Sequence, residues 1–269
     1  MTIVLFGGDQ TAAGAGGVYE RLLKSARNKH MTVLHVAPDG TDDDLYKEAR
    51  AASWWIDDTR KLVAPHGGTV EGVPIGSPER ARSADVAAAL DRAGFVYIQC
   101  VRPDDLPLVN FPGSPVVETF RRGAATNELI VGGGGVGAMF FCERTPLIPM
   151  DFLNASHEHW YEPGELPPID MSSVLADMKI VDCLNLAPFA MLLPHWTRFS
   201  GLYEQFLPFL AHIEMFKGGR RVVGVDNETA IIHIDGRWEV GGGGSAVLIG
   251  ENLEVQTFKP GEVLPTRGA

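Results

Sequence analysis

Short apolar runs alternate with longer amphipathic stretches through the first 145 residues. Thr2–Phe6 reads as a buried strand ending in Gly7-Gly8, and Val18, Leu22 and Ala26 follow at helical spacing. Met31–Val36 is the next strand, closed by Pro38-Asp39-Gly40. Residues 42–64 form a long amphipathic segment, with Thr41 placed as an N-cap and Asp42, Asp43 and Asp44 suiting the positive end of a helix. Val70–Ile75 reads as a third strand, and Ser83–Ala93 as a short helix with Ser83 as N-cap and Gly94 as its stop. Phe95–Gln99 and Glu128–Val131 supply a fourth and a fifth strand on either side of the segment Ser114–Ala124. Strands separated by amphipathic helices of this length imply parallel crossovers and a doubly wound sheet. Near-continuous apolar runs such as Ile3–Phe6 fit a sheet covered on both faces.

The pattern then changes. Residues 146–177 carry Pro, His, Glu and aromatic residues without periodicity and are expected to form a long irregular excursion, a kind of segment that is usually functional or mobile. Ile180–Leu186 returns to strand character, and Phe199, Leu202, Phe206, Phe209, Leu210 and Ile213 mark a helical face within Arg198–Phe216, interrupted by Pro208. From Arg221 onward, short strands divided by glycine-rich turns (Val222–Val225, Ala230–Ile234, Trp238–Val240, Ala246–Ile249, Leu253–Phe258) predict an antiparallel meander or ribbon appended to the parallel sheet. One domain over residues 1–269 is expected: a parallel core to 145, the excursion, then strand, helix and a C-terminal β extension from 178.

Composition narrows the function classes. A net charge of -11 argues against nucleic acid and anionic membrane surfaces, where phosphates call for clustered Lys and Arg. No apolar run is long enough to span a bilayer, and the N-terminus enters a strand without a basic region or cleavage signal, so a cytoplasmic location is expected. The 3 cysteines, Cys100, Cys142 and Cys183, all lie in apolar segments and read as buried thiols of a reducing compartment. Gly14-x-Gly16-Gly17 lacks the Gly-x-Gly-x-x-Gly spacing of a dinucleotide loop, so no nicotinamide cofactor is expected.

The most informative stretch runs from Glu128 to Met139, where a strand enters Gly132-Gly133-Gly134-Gly135 and leaves through Val136-Gly137-Ala138 as a helix. Strand, tight glycine turn and helix together form the geometry of a nucleophile elbow, whose backbone tolerates only small neighbours. Gly133 to Ala138 resembles the elbow Gly-(Thr/Trp)-Ser-Ala-Gly-Ala of the S51 peptidases, the group of α-aspartyl dipeptidases and cyanophycinases. Leu193-Pro194-His195-Trp196 is similar to that family's histidine segment, and Gly224-Val225-Asp226-Asn227-Glu228-Thr229-Ala230 to its Gly-Ile-Asp-Glu-x-Thr-Ala turn. The resemblance implies a three-layer αβα fold of the class I glutamine amidotransferase-like (flavodoxin-like) kind, with His195 in the place of the triad histidine.

The departures carry as much weight. Gly135 stands where the family has its serine, and a glycine cannot attack a carbonyl. The family's Gly-Gly-x-Gln cradle is replaced by Gln99-Cys100-Val101-Arg102-Pro103. A diverged peptidase-like protein is therefore expected, with a remodelled pocket for a small acidic or peptide-derived ligand formed by Gly133, Gly134, Gly135, Val136, Gly137, Cys100, Val101, Arg102, Trp196 and Arg198. The alternatives are an enzyme using His195 as general base for non-covalent hydrolysis, elimination or isomerisation, helped by Glu228, Asp151 or a metal, and an interaction module. His157 and His159, at i and i+2, are the candidate metal ligands should a divalent ion be held, and Asp151 or His195 would complete the set. Cys142, placed about two turns into the helix after the elbow, is set aside as a replacement nucleophile, and Cys100 is the one thiol expected near the pocket. A homodimer is kept open as the protein partner, with Trp54-Trp55 expected to pack against the sheet or a second subunit.

Overall fold

The computed structural model describes residues 1–26, 28–39, 53–100, 102–126, 128–147, 178–212, 215–216 and 218–266. The first half forms five parallel strands, β1 (Thr2–Phe6), β2 (His30–Val36), β3 (Thr69–Ile75), β4 (Phe95–Cys100) and β5 (Ile130–Gly134), ordered β1-β5-β4-β2-β3. Its helices are α1 (Gly16–Ser25), α2 (Ser53–Val63), α3 (Pro78–Ala81), α4 (Ala84–Arg92) and α5 (Pro115–Ala125), followed after β5 by one turn, α6 (Val136–Met139). The strand order reverses direction: the chain moves outward from β1 to β3, then returns through β4 and β5. Right-handed crossovers place the helices of the two legs on opposite faces. Val18, Tyr19 and Leu22 of α1 and Trp55 and Val63 of α2 accordingly pack on the face carrying Phe6, Val33 and Tyr97. Val86 and Leu90 of α4 and Val116 and Phe120 of α5 pack on the face carrying Leu5, Ile98 and Val131. The doubly wound sheet expected from the sequence is the one observed.

The second half departs from a simple appended ribbon. Strands β6 (Arg144–Leu147) and β7 (Lys179–Asp182) pair with each other, so strand character ends well before Leu186. Met191–Pro194, which the pattern did not mark as a strand, is β8. It runs parallel to β9 (Val222–Val225) and precedes α7 (Trp196–His212). Beyond β9 come β10 (Thr229–Ile234), β11 (Arg237–Gly242), β12 (Ala246–Ile249), β13 (Val255–Phe258) and β14 (Val263–Leu264). β10, β11 and β14 extend the main sheet antiparallel beyond β1, whereas β13-β12-β9-β8 form a separate four-stranded sheet. That second sheet buries Leu192, Val223 and Leu248 against the main core, and α7 covers its other face through Phe206, Leu207 and Leu210. The chain passes between the two sheets three times here, first through the short crossing from Val225 to Thr229, then between β11 and β12 and between β13 and β14.

Two local expectations are corrected. Ser83 sits at the N-cap position of α4, but its hydroxyl does not cap that helix; it donates to the carbonyl of Arg80 at 2.7 Å. The elbow helix ends at Met139, so Cys142 lies beyond α6 and not inside a longer helix. No helix among the described residues is long and apolar enough to cross a membrane.

Candidate functional site

β1 and β5 are neighbours in the sheet, with Phe6 opposite Gly134. The chain leaves β1 toward α1 on one face, and leaves β5 toward α6, whose Ala138 and Met139 belong to the opposite core. The divergence opens a crevice above the carboxyl ends of two adjacent strands, the usual ligand position in open α/β sheets. The loop Gly7-Gly8-Asp9-Gln10 after β1 and the turn at Gly135 after β5 stand side by side there, joined by the bond from Gly135 to Phe6.

Gly135 has φ 53 and ψ -122, a backbone conformation that side-chain-bearing residues adopt only under strain, and its N–H donates to the carbonyl of Phe6 at 3.0 Å. A Cβ built at Gly135 would meet one described group, Nε2 of His195, at the ordinary contact distance of 3.7 Å. The turn therefore keeps the shape of a nucleophile elbow, and the histidine faces the point from which a side chain would rise.

His195 arrives there from the second sheet. It joins β8 to α7 with φ 52, and its backbone N–H donates to the carbonyl of Gly7 at 2.9 Å. The ring lies so close to the β1 loop that a Cβ on Gly8 would stand 2.0 Å from it, and only glycine fits. Nδ1 lies 2.5 Å from Oδ1 of Asn227, whose Nδ2 donates to Oδ2 of Asp9 at 2.6 Å. Asp9, His195 and Glu228 all hold positive φ values, 46, 52 and 55. Left-handed backbone at non-glycine residues costs on the order of 1–3 kcal/mol each and gathers at functional sites. Burial is the main influence on the His195 ring and lowers its pKa; Asn227 and Asp9 oppose this, while Arg198 adds to it. The ring is thus held as a neutral imidazole at neutral pH.

The adjoining Asp226 is structural. It accepts from the backbone and hydroxyl of both Thr197 and Ser245, tying the start of α7 and the turn before β12 to the crossing. Burial alone would raise its pKa, but these bonds bring it below the ordinary carboxylate value.

No family model matches the chain, and no curated protein matches its sequence. Solved structures do match. A peptidase from an acI-B1 actinobacterium superposes over 98% of this chain and 96% of its own, with a TM-score of 0.65 at 15% identity. A protein described as a candidate peptidase E from Listeria monocytogenes EGD-e covers 90% of this chain and 98% of its own, with a TM-score of 0.54 at 15% identity. The fold is peptidase-like. At these identities the likeness speaks for the fold alone.

On that peptidase-like fold, the residues singled out from sequence separate into three groups. Gly133, Gly134, Gly135, Val136 and Gly137 form the elbow turn, where Gly135 faces His195 and Val136 packs against the core on the α4–α5 face, with Arg198 exposed one turn along from the histidine. Others are drawn away from it. Glu228, expected to assist His195, instead accepts the backbone N–H of Gly14 at 3.1 Å, and Asn227 takes the place beside the ring. Cys100 ends β4 on the opposite face, 3% exposed in the core with Ile98 and Val36, and burial pushes its thiol pKa well up. Trp196, the first residue of α7, stacks on Tyr203 of the same helix, and Arg102 is buried, its backbone N–H donating to Asp105. Asp151, His157, His159 and Val101 lie outside the described residues. Among the described residues no group of three or more His, Cys, Asp or Glu is arranged to hold a metal.

Sequence reasoning passed over four site residues. Asn227 and Asp9 orient the histidine, although Asn227 stands under the acidic residue of the Gly-Ile-Asp-Glu-x-Thr-Ala resemblance and was legible there. Gln10, 4% exposed, donates through Nε2 to Oε1 of Gln99 at 3.1 Å beside the turn. The Tyr97 hydroxyl fills the side-chain space of Gly134, is fully buried and has no hydrogen-bond partner among the described residues. Trp55, expected to pack on the sheet or on a second subunit, stacks on Tyr97 of the sheet with ring centroids 5.7 Å apart.

Proposed function

We propose that the chain is a diverged relative of the S51 peptidases that binds a small polar or peptide-derived ligand over Gly135 and performs no serine-type covalent catalysis. One observation carries the reading: Gly135 keeps the backbone angles of a nucleophile elbow without a side chain to attack, while Nε2 of His195 still faces it. Covalent acyl transfer needs an atom that can bond to carbon, and glycine offers none. The left-handed residues Asp9, His195 and Glu228 supply the second support, because strain of this kind persists where surrounding structure holds it for a use.

A further reading extends the first. The anchored Nδ1 of His195 leaves Nε2 directed at whatever lies over Gly135, including a water. A neutral imidazole in that position acts as a general base for hydrolysis, elimination or isomerisation without an acyl-enzyme.

Thermal-shift measurements with amino acids, neutral and acidic dipeptides and divalent metal ions, on the native chain and on His195→Ala, test both readings. A ligand that raises Tm in the native chain and not in the variant supports the site. The absence of any shift across the panel removes it and transfers weight to an interaction role. Product release by the native chain, lost in His195→Ala, separates catalysis from binding.

A further inference from the structure

We infer that Asp9 decides which nitrogen of His195 carries the proton, acting through the side-chain amide of Asn227. Asp9 follows β1 at the solvent edge of the crevice. A carboxylate has acceptors and no donors, so the Asn227 group that meets it at 2.6 Å must be the NH2. The amide has only two ends. With Nδ2 committed to Asp9, the end turned to the ring is Oδ1, again an acceptor without a donor. Nδ1 of His195 must therefore be the protonated nitrogen, and a neutral imidazole then has its lone pair on Nε2. The site presents an acceptor above the elbow, and a group there is bound through its own N–H or O–H.

An asparagine alone would not fix this. The two ends of a carboxamide are nearly isosteric, so without Asp9 the amide turns over and offers NH2 to the ring, moving the proton to Nε2. The charge-assisted bond to Asp9 biases the amide by roughly 10- to 100-fold. Asp9 acts on the ring through Asn227; it is a positioning residue, two hydrogen bonds removed from the imidazole. The consequence for ligand choice rests on the proposed function, whereas the tautomer does not.

The test is long-range proton–nitrogen correlation NMR on the full-length, ligand-free chain labelled with 15N-histidine, with His195→Gln used to assign the ring among the 8 histidines. In the native chain the expected spectrum shows a protonated Nδ1 and an unprotonated Nε2. Asp9→Asn, which keeps a side chain tolerant of left-handed backbone, is expected to lose that single tautomer and populate both. Adding Asn227→Asp to Asp9→Asn returns an acceptor-only group to Nδ1 and restores the single Nδ1-protonated form. A native spectrum with the proton on Nε2, an Asp9→Asn spectrum identical to the native one, or failure of the double variant to restore it would each overturn the assignment. The measurement needs no ligand, so its outcome is independent of whether the thermal-shift screen finds one.

Discussion

Replacing Gly135 by serine would turn the geometry of the elbow into a measurable reactivity. The built Cβ lies 3.7 Å from Nε2 of His195 and meets nothing else described, so the substitution introduces no steric clash. One further bond places the hydroxyl oxygen, in one of its staggered rotamers, within hydrogen-bond reach of Nε2, about 2.7–3.0 Å. The cost is backbone strain at φ 53, on the order of 1–3 kcal/mol. For a chain of this size that corresponds to a fall in Tm of roughly 2–12 °C. A fluorophosphonate probe reads the result: the oxygen–phosphorus bond forms, fluoride leaves, and His195 takes the hydroxyl proton. Gly135→Ser is expected to be labelled and the native chain not. Labelling should be slow, because Asn227 orients the ring but brings no negative charge to stabilise the imidazolium. In serine proteases the equivalent carboxylate-to-amide change costs about 10,000-fold, part of it through the wrong tautomer, so that figure is an upper bound here. Combining Gly135→Ser with Asp9→Asn and Asn227→Asp restores the charge while avoiding two carboxylates 2.6 Å apart, and labelling should accelerate by more than about tenfold. A folded Gly135→Ser protein that resists the probe, alone and in the triple variant, would refute the claim that His195 addresses the elbow.

Three other outcomes follow from the same structure. Tyr97→Phe removes a fully buried hydroxyl that has no partner among the described residues, and should stabilise the fold by about 1 kcal/mol, seen as a higher urea midpoint at unchanged slope. Gly8→Ala forces a methyl group to within 2.0 Å of the His195 ring; the ring must move, and any ligand-induced rise in Tm should vanish, with a stability loss of about 1–3 kcal/mol. His35 is buried beside Trp55 and burial lowers its pKa from 6.5 to about 4. Its folded-state pKa lies below the unfolded value, so its contribution is complete above pH 6.5 and is lost as pH falls toward 4, amounting to about 3 kcal/mol. Urea unfolding from pH 7 to pH 4 should show this loss in the native chain and a flatter profile in His35→Phe.

Much of the fold was legible because the first half obeys simple rules. Strands buried on both faces write themselves as apolar runs, and the crossover helices between them carry amphipathic spacing, so β1 to β5 were located within a few residues. Met191–Pro194 was missed for a physical reason: four residues closed by a proline carry no periodicity, and their strand character comes from pairing with β9, more than twenty-five residues later in the chain. The division of the C-terminal strands between two sheets was hidden in the same way, since Val222–Val225 and Thr229–Ile234 are alike in composition and differ only in their partners. At the site, glycine spacing located the turn and the histidine segment located His195 beside it. The polar helper was misjudged by one position because neighbouring side chains at a left-handed residue point in different directions: Asn227 turns to the ring and Glu228 to Gly14. Cys100 was misplaced because alternation along β4 sends Gln99 to the crevice side and its neighbour into the opposite core.

The crossing from β9 to β10 distributes three consecutive side chains among three parts of the molecule: Asp226 to the head of α7, Asn227 to the histidine, Glu228 to the loop before α1. It behaves like a keyed connector whose pins are fixed in number and order. Adding or deleting one residue there would shift all three contacts together and break the joint between the sheets, whereas exchanging the chemistry of the middle pin disturbs neither neighbour. The architecture thus separates what must stay constant for the chain to fold from a position whose chemistry is open to change. Loop-length variation at this crossing should be lethal to folding, while a library randomised at position 227 alone should remain largely folded and vary in what it binds.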